Sequence, residues 1–107
     1  MRIDQDSWNI IQRVLRRYPD NLKEQKADGA YRERIEREIK AVELALSMLS
    51  PEEQEVIRAR FFQDRRRNVS YERIFELGYS ARQMRRITHR MVEMMGRALG
   101  EHPGGIR

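Results

Sequence analysis

The chain has 107 residues, of which 36% are charged, and Lys plus Arg exceed Asp plus Glu by 22 to 17. This length favours one domain, and the 39% hydrophobic share suits a small helical protein in which each helix buries one stripe. Because the sequence has no cysteine, disulfides and cysteine-based metal sites are excluded. The first twenty residues lack the apolar segment of a secretion signal, and no apolar run reaches the roughly 18 residues of a membrane span. We therefore expect a cytoplasmic protein.

The positive charge is concentrated in the carboxy-terminal half. Between residues 65 and 90 there are eight arginines and two glutamates, and no lysine follows Lys40. The planar guanidinium of arginine matches phosphates and guanine edges with paired hydrogen bonds, which lysine cannot form. Such a cluster attracts polyanions because counterions are released on binding. A merely solvated surface is the alternative, and the positions of the arginines on helices decide between the two.

A first helix is predicted from Asp6 or Ser7 to Arg17, because large apolar residues recur there at helical spacing. Pro19 disfavours a helical backbone at the residue before it, so we expect the helix to end there. The following stretch, 20–29, has only one large apolar residue. We expect it to be a connector.

The second predicted helix runs from Ala30 to Leu49, with an apolar stripe on one face and charged residues, among them Glu38, on the others. From Ile35 onward the stripe alternates steps of four and three residues, the heptad pattern of helices that pair along their length. The stripe can pair with a second copy of the chain, giving a homodimer, or pack on the first helix, and the sequence leaves both open. Its members are Tyr31, Ile35, Ile39, Val42, Leu46 and Leu49.

A third helix is predicted from Pro51 to Phe62 by the sharpest boundary signal in the chain. In segment 50–53 a serine is followed by proline at the first helical position and by glutamate at the third. This is the pattern of a capping box with proline at the helix start. An arginine-rich loop, 63–69, follows.

Two more helices follow that loop. Ser70 is predicted to cap a short helix, and Gly78 suits the left-handed residue that ends one. Ser80, with Gln83 three residues later, predicts a second capping box. The last helix then runs to about Leu99.

The last three helices have the layout of a helix-turn-helix, in which the second motif helix enters the major groove of DNA. The apolar residues of the last helix fall on one face, and most of its arginines fall on the opposite face near its amino terminus, where base contacts are made. The buried face is predicted to comprise Met84, Ile87, Met91 and Met94. The exposed face comprises Arg82, Arg85, Arg86 and His89, flanked by Gln83 and Arg90.

The chemistry of these side chains predicts their roles on DNA. Arginine bonds guanine O6 and N7 bidentately, so Arg82, Arg85 and Arg86 are candidates for base edges. Gln83 either reads adenine or serves only as a cap partner. Phosphates are expected to be bound by Ser70, Arg73, Ser80 and Arg90, and by the backbone amides at the start of each helix. The loop residues Arg65, Arg66 and Arg67 either reach an adjacent phosphate or are simply solvated.

The sequence does not predict catalysis. His89 and His102 are too few and too isolated for a metal site, and the carboxylates fall on exposed helix faces. No glycine-rich phosphate loop and no pairing of a nucleophile with a base is present. The six methionines fit adaptable core packing better than a cofactor cluster. We therefore expect a binding protein that is not an enzyme and has no cofactor or metal.

Four segments carry a resemblance to a known family: 49–57 (LSPEEQEVI), 60–62 (RFF), 70–74 (SYERI) and 77–80 (LGYS). They resemble region 4 of sigma-70-type factors, in which a helix-turn-helix binds the promoter −35 element, and the likeness covers about residues 46–99. Together with the amino-terminal helices, the arrangement is similar to small phage transcriptional activators of the RinA/ArpU type, which control late phage genes. The resemblance implies double-stranded DNA and RNA polymerase as partners, in the cytoplasm of a bacterial host.

Two features depart from the sigma-like pattern. Only Phe75 and Glu76 separate Ile74 from Leu77, one residue fewer than is usual, and Phe75 replaces a small residue. We therefore expect the second motif helix to be shorter or rotated. The loop 63–69 is longer and more basic than in that family. Nothing resembles sigma region 2, so the chain is not expected to melt a promoter as a complete sigma factor does.

These observations predict an all-α protein in three parts. Residues 1–49 form a helical region that can dimerise, 50–100 a sigma-70 region 4-like helix-turn-helix, and 101–107 a flexible tail. The predicted function is sequence-specific transcriptional regulation, and the resemblance implies a phage or prophage late-gene activator. Two alternatives stay open. One is a DNA-packaging protein similar to small terminase subunits, and the other is an interaction module whose arginines meet an acidic partner, such as RNA polymerase or a sigma-related protein.

Overall fold

The computed structural model of the chain describes residues 5–24, 30–64 and 66–100, and all regular structure within these ranges is helical. The predicted all-α fold is therefore confirmed. The predicted tail, 101–107, lies outside the described residues. Within the described ranges, no helix is long and apolar enough to cross a lipid bilayer. The elements are α1 (Gln5–Glu24), α2 (Ala30–Ser47), α3 (Pro51–Phe61), a 3₁₀ helix (Tyr71–Leu77) and α4 (Ala81–Leu99).

Two capping boxes begin α3 and α4, as predicted. The Ser50 hydroxyl accepts a hydrogen bond from the Glu53 amide at 3.2 Å, while the Glu53 carboxylate accepts one from the Ser50 amide at 2.9 Å. Ser80 and Gln83 form the same pair of bonds at 3.1 and 2.9 Å. Each box satisfies amides that the first turn of a helix leaves without partners. Gly78 ends the 3₁₀ helix with a φ of 89°, a left-handed conformation that favours glycine.

Helix α1 differs from its prediction, because it continues through Pro19 as far as Glu24. A proline inside a helix removes a backbone hydrogen bond and costs about 3 kcal/mol. The turn beyond the proline is held by contacts with α2. Asn21 is only 3% exposed, and its side-chain amide donates to Glu38 at 2.8 Å. These tertiary contacts outweigh the local preference, so residues 20–24 of the predicted connector are helical, and 25–29 lie outside the described residues.

The apolar stripe of α2 lies inside the monomer. Helix α2 packs against α1 and α4. Of the two possibilities that the sequence left open, a second copy of the chain or the first helix, the structure has the packing within one chain. The expectation that Glu38 lies on a solvated face was wrong, because it is 5% exposed and receives hydrogen bonds from α1. The Tyr31 side chain lies outside the part of the chain that the structure describes. The buried members of the stripe are Ile35, Ile39, Val42, Leu46 and Leu49.

Helix α4 packs against α1, α2, α3 and the 3₁₀ helix, so a single hydrophobic core includes residues from both halves of the chain. Met94 was predicted to be buried and is only partly so. Val92 and Met95, both 0% exposed, are buried as well, because α4 has neighbours on more than one side. The other predicted inward residues are buried: Met84, Ile87 and Met91.

Candidate nucleic-acid interface

The first half of α4 presents an exposed arginine face, made of Arg82, Arg85 and Arg86. Within the described residues, none of the three forms an ion pair. The Arg85 guanidinium lies 5.5 Å from the centre of the Tyr71 ring, at the edge of cation–π range. Arg82 and Arg86 have no such ring contact among those described. The face therefore combines concentrated positive charge with side chains that are free to reorient toward a ligand.

Gln83 and Ser80 are engaged in the capping box that begins α4. The Gln83 carbonyl oxygen accepts from the Ser80 amide, and the Ser80 hydroxyl accepts from the Gln83 amide. The cap-partner role of Gln83 is therefore observed. Both residues are exposed, and the Gln83 side chain keeps its NH₂ group as a donor. The box fixes the backbone from which the arginine face projects.

His89 and Arg90, the two cations at the far end of this face, are paired with carboxylates. His89 Nε2 contacts Glu93 one turn away, and its ring lies 5.4 Å from the Trp8 ring of α1. Arg90 Nη1 lies 2.9 Å from Glu53 Oε2. Folding thus brings Glu53 of α3 beside α4, where it pairs with Arg90. Because it is already paired with Glu53, Arg90 is less available to bind a phosphate.

The segment before the 3₁₀ helix places Ser70 and Arg73 at the surface. Both side chains are exposed. Ser70 was expected to cap the helix with its hydroxyl, but the hydroxyl makes no capping bond and only the backbone carbonyl accepts, from the Arg73 amide at 3.1 Å. A tight 3₁₀ turn uses this three-residue bond, so the side chain is left for other partners. Ser70 and Arg73 line a polar surface cleft together with Arg67.

In the arginine-rich loop, Arg66 and Arg67 are 87% and 83% exposed. Arg67 Nε lies 3.5 Å and Arg66 Nε 3.9 Å from a carboxylate oxygen of Asp64. The Arg66 amide donates to Asp64 at 2.8 Å. This backbone hydrogen bond is the main reason that the pKa of Asp64 is lowered, and the two guanidinium groups lower it further. Arg65 lies outside the described residues. The loop thus carries cations that are only weakly compensated.

Arg60 helps to position the elements of the candidate interface, and the sequence patterns did not identify it. Its guanidinium lies 3.8 Å from the centre of the Tyr71 ring, and its Nη1 donates to the Val69 carbonyl at 2.8 Å. Burial lowers the pKa of Arg60, while Tyr71 acts in the opposite direction and the nearby Arg85 lowers it further. Because Tyr71 lies near both guanidinium groups, it ties the 3₁₀ helix to α3 and α4. No spacing rule links these residues in the sequence.

The described residues contain no group of three or more histidine, cysteine or carboxylate side chains that could hold a metal ion. The functional interpretation therefore depends on the charged faces of the helices. Comparison with known proteins adds no further constraint. The chain matches no family model, no curated protein and no solved structure.

Proposed function

We propose that the chain is a sequence-specific binding protein for double-stranded DNA and a transcriptional regulator, with α4 as its reading helix. The observation that carries the proposal is the exposed arginine face on the first half of α4, where Arg82, Arg85 and Arg86 have no carboxylate partner among the described residues. Guanidinium groups held close together repel one another, and a polyanion relieves that repulsion. Duplex DNA is the polyanion whose groove matches the shape of a helix.

The arrangement of elements supports a helix-turn-helix reading. Helix α3 is followed by the 3₁₀ helix, by a turn at the left-handed Gly78, and by α4. The B-DNA major groove is about 12 Å wide and admits one α-helix. Residues near the amino terminus of such a helix contact base edges. The arginine face occupies that part of α4, and the opposite side of the helix is buried in the core.

Different residues are suited to different parts of the duplex. The arginine face would contact guanine edges, and the free NH₂ group of Gln83 offers a donor to an acceptor on a neighbouring base. Ser70 and Arg73, exposed beside the arginine-rich loop, are suited to phosphates of the groove wall. His89 and Arg90 can reach phosphate only by leaving their carboxylate partners. We therefore expect the arginine face to set the preferred sequence and the other residues to fix the position on DNA.

The biological role that accompanies this proposal is control of phage late genes, as the resemblance to RinA/ArpU-type activators implies. RNA polymerase remains an expected partner. A second copy of the chain would need a surface other than the apolar stripe of α2, which is buried in the monomer. A DNA-packaging protein would also bind duplex DNA, whereas an interaction module would use the same arginines for an acidic protein surface. The experiment below separates the interaction module from the two DNA-binding roles.

The proposal is tested by selecting bound duplexes from a random library and measuring affinity for the selected sequence. Loss of a bidentate base contact in Arg85→Ala or Arg86→Ala should cost about 1–3 kcal/mol, roughly fivefold to 150-fold in affinity, and relax preference at one base pair. The matched control is Arg97→Ala, because Arg97 is an exposed arginine in the last turn of the same helix. Trp8 is the only tryptophan and lies against His89, so its fluorescence provides a readout of binding.

The outcome that contradicts the proposal is equally specific. If the library yields no preferred sequence, or if both variants keep the affinity and selectivity of the wild type, α4 does not read DNA. The interaction module then becomes the better interpretation. Helical content measured by circular dichroism should not fall in either variant, because alanine is a better helix former than arginine.

A further inference from the structure

The amino-terminal helix is joined to the arginine-rich loop by a chain of side-chain hydrogen bonds. Arg16 Nη1 of α1 donates to Asn68 Oδ1 at 2.7 Å. Asn68 Nδ2 donates in turn to Gln12 Oε1 at 2.8 Å. Gln12 and Arg16 are one helical turn apart, so a single asparagine bridges two successive turns of α1. The loop is therefore held against α1.

This junction concentrates positive charge. Arg13 and Asp64 both lie close enough to Arg16 for their charges to act on it, and Asp64 of the loop contacts Arg66 and Arg67. Among the described residues, no other carboxylate is paired with any of these four arginines. Asp64 is already shared by Arg66 and Arg67. Arg13 is exposed and has no ion-pair partner within the described ranges. The pKa of Arg16 is lowered, mainly by burial and then by the charge of Arg13, while Asp64 opposes that shift.

The position of α1 connects this cluster with the arginine face of α4. Trp8, Gln12 and Arg16 are spaced four residues apart and so lie along one face of α1. At one end of this stripe Trp8 stacks near His89 of α4, and at the other end Arg16 bonds to the loop. Arg67 of the loop then shares a cleft with Arg73 of the 3₁₀ helix. Basic side chains thus extend from Arg73 of the 3₁₀ helix through the loop to the middle of α1.

We propose that Arg13 on α1, together with Arg66 and Arg67 of the loop, forms a second DNA-binding surface that holds the phosphate backbone outside the groove read by α4. We name it the α1–loop surface. Arg16 and Asn68 are positioning residues, because their hydrogen bond sets the distance between Arg13 and the loop. The inference rests on the proposed DNA-binding function and extends it to the amino-terminal region, which the sequence analysis assigned only to dimerisation.

Phosphate is the expected ligand of this surface for two reasons. The three contacting side chains are exposed and have no rigid partners that would fix the orientation needed to read a base edge. They also come from two elements, α1 and the loop, so that they can contact more than one phosphate along a strand. Each phosphate neutralised by a protein cation adds about 0.9 to the salt slope of the binding constant. The α1–loop surface therefore supplies affinity that falls with salt and carries no sequence preference.

The test compares Arg13→Gln with Arg37→Gln on one duplex selected by the protein and on one unrelated duplex of equal length, over a range of salt concentrations. Both variants remove one exposed arginine from a helix, but Arg37 lies on α2, away from the α1–loop surface. Arg13→Gln should reduce the slope of log K against log salt concentration by about 0.9. If the variant and the wild type bind equally at 1 M salt, the variant should then bind roughly eightfold more weakly than the wild type at 0.1 M. The loss should be equal on both duplexes, and Arg37→Gln should match the wild type.

A second variant, Asn68→Ala, removes the link while keeping every arginine. It should weaken both duplexes by a smaller factor than Arg13→Gln, with thermal unfolding measured beside it to separate loss of fold from loss of binding. If Arg13→Gln behaves like Arg37→Gln while the wild type prefers its selected duplex, the α1–loop surface is overturned and the proposed function stands. If the wild type shows no preference for any duplex, the proposed function itself fails.

Discussion

Helices α2 and α4 are both long and rich in charged residues, but they use their charges in different ways. On α2, carboxylates that face α1 are paired with side chains of that helix. Glu38 receives a two-pronged ion pair from Arg17 and a hydrogen bond from Asn21, and Glu43 accepts a hydrogen bond from Tyr18. On the first half of α4 the arginine face has no carboxylate partner among the described residues. These carboxylates of α2 help to hold the fold together, whereas the arginine face of α4 remains for a ligand.

This difference follows from what surrounds each helix. The charged side of α2 meets α1, which approaches closely enough to bury a carboxylate. The arginine face of α4 is exposed, and where Arg85 comes near another element its neighbours are the Tyr71 ring and Arg60, neither of which is a carboxylate. A buried charge must be paired because desolvation is costly, whereas an exposed charge can stay unpaired at little cost. Changes on α2 should therefore alter stability, and changes on the α4 face should alter binding.

The largest expected effect comes from placing a charge in the apolar stripe of α2. Ile39 is 8% exposed, so Ile39→Asp should bury an uncompensated carboxylate and lower the free energy of unfolding by about 3–5 kcal/mol. Urea unfolding measures this loss. Leu44→Asp is the matched control, because Leu44 is on the same helix but 59% exposed. A folded Ile39→Asp monomer obtained from a wild-type dimer would instead place the stripe at an interface between two copies.

The fold was predictable where local signals and tertiary packing agree. The two capping boxes and Gly78 set the boundaries of α3 and α4 through interactions within a few residues, and the structure has them as predicted. Pro19 is the opposite case, because its local preference to end α1 is outweighed by the contact of Asn21 with α2. That contact spans 17 residues, and no spacing rule identifies it.

The exposed arginines of the candidate site were predictable, and their partners were not. Helical periodicity was sufficient to place Arg82, Arg85 and Arg86 on one exposed face. The pairing of Arg90 with Glu53 joins residues 37 positions apart, and the bond between Arg16 and Asn68 spans 52. Such contacts depend on how the helices dock. The helical period of 3.6 residues shows which side chains share a face of one helix, but not which residues of another helix they meet.

The next effect in size tests the buried ion pair of α2 directly. Glu38→Ala should lower the free energy of unfolding by about 2–3 kcal/mol, since Asn21 loses its acceptor and the Arg17 guanidinium loses its partner. The value falls below that for a fully buried pair because the Arg17 side chain is 40% exposed and can be hydrated. Thermal unfolding of Arg86→Ala supplies the contrast from α4. That variant should stay within about 0.5 kcal/mol of the wild type. Equal losses in both variants would remove the distinction between the two helices.

A smaller effect of opposite sign is expected on the buried side of α4. Thr88 is 2% exposed, and its hydroxyl has no hydrogen-bond partner among the described residues. Thr88→Val keeps the shape and removes the unsatisfied group, so the free energy of unfolding should rise by about 1 kcal/mol. For a domain of this size, that corresponds to an increase of roughly 4–8 °C in Tm. Thr88→Ser retains the hydroxyl and should be less stable than the wild type. A Thr88→Val variant with a lower Tm would show that the hydroxyl is hydrogen-bonded.

The last effect concerns the pH dependence of the contact between α1 and α2. Burial, and then the hydrogen bond to Glu43, raises the pKa of Tyr18 from its usual 10.0 to about 12. A group with a raised pKa in the folded state contributes stability below its unfolded pKa, and this contribution is lost as pH rises through the folded value. Between pH 10 and about 12, the free energy of unfolding of the wild type should therefore fall relative to that of Tyr18→Phe, which has no phenol to titrate.

Glu43→Gln tests the second cause of this shift. Titration of phenolate absorbance should show a raised pKa for Tyr18 in that variant as well, but a smaller rise, because burial remains while the charge of the acceptor is lost. A stability difference that stays constant across this range would mean that the Tyr18 phenol has the same pKa in the folded and unfolded chains. In that case the charge of Glu43 would not stabilise the fold, unlike that of Glu38. Helix α2 would then carry an exposed charge without a stabilising role, as the arginine face of α4 does.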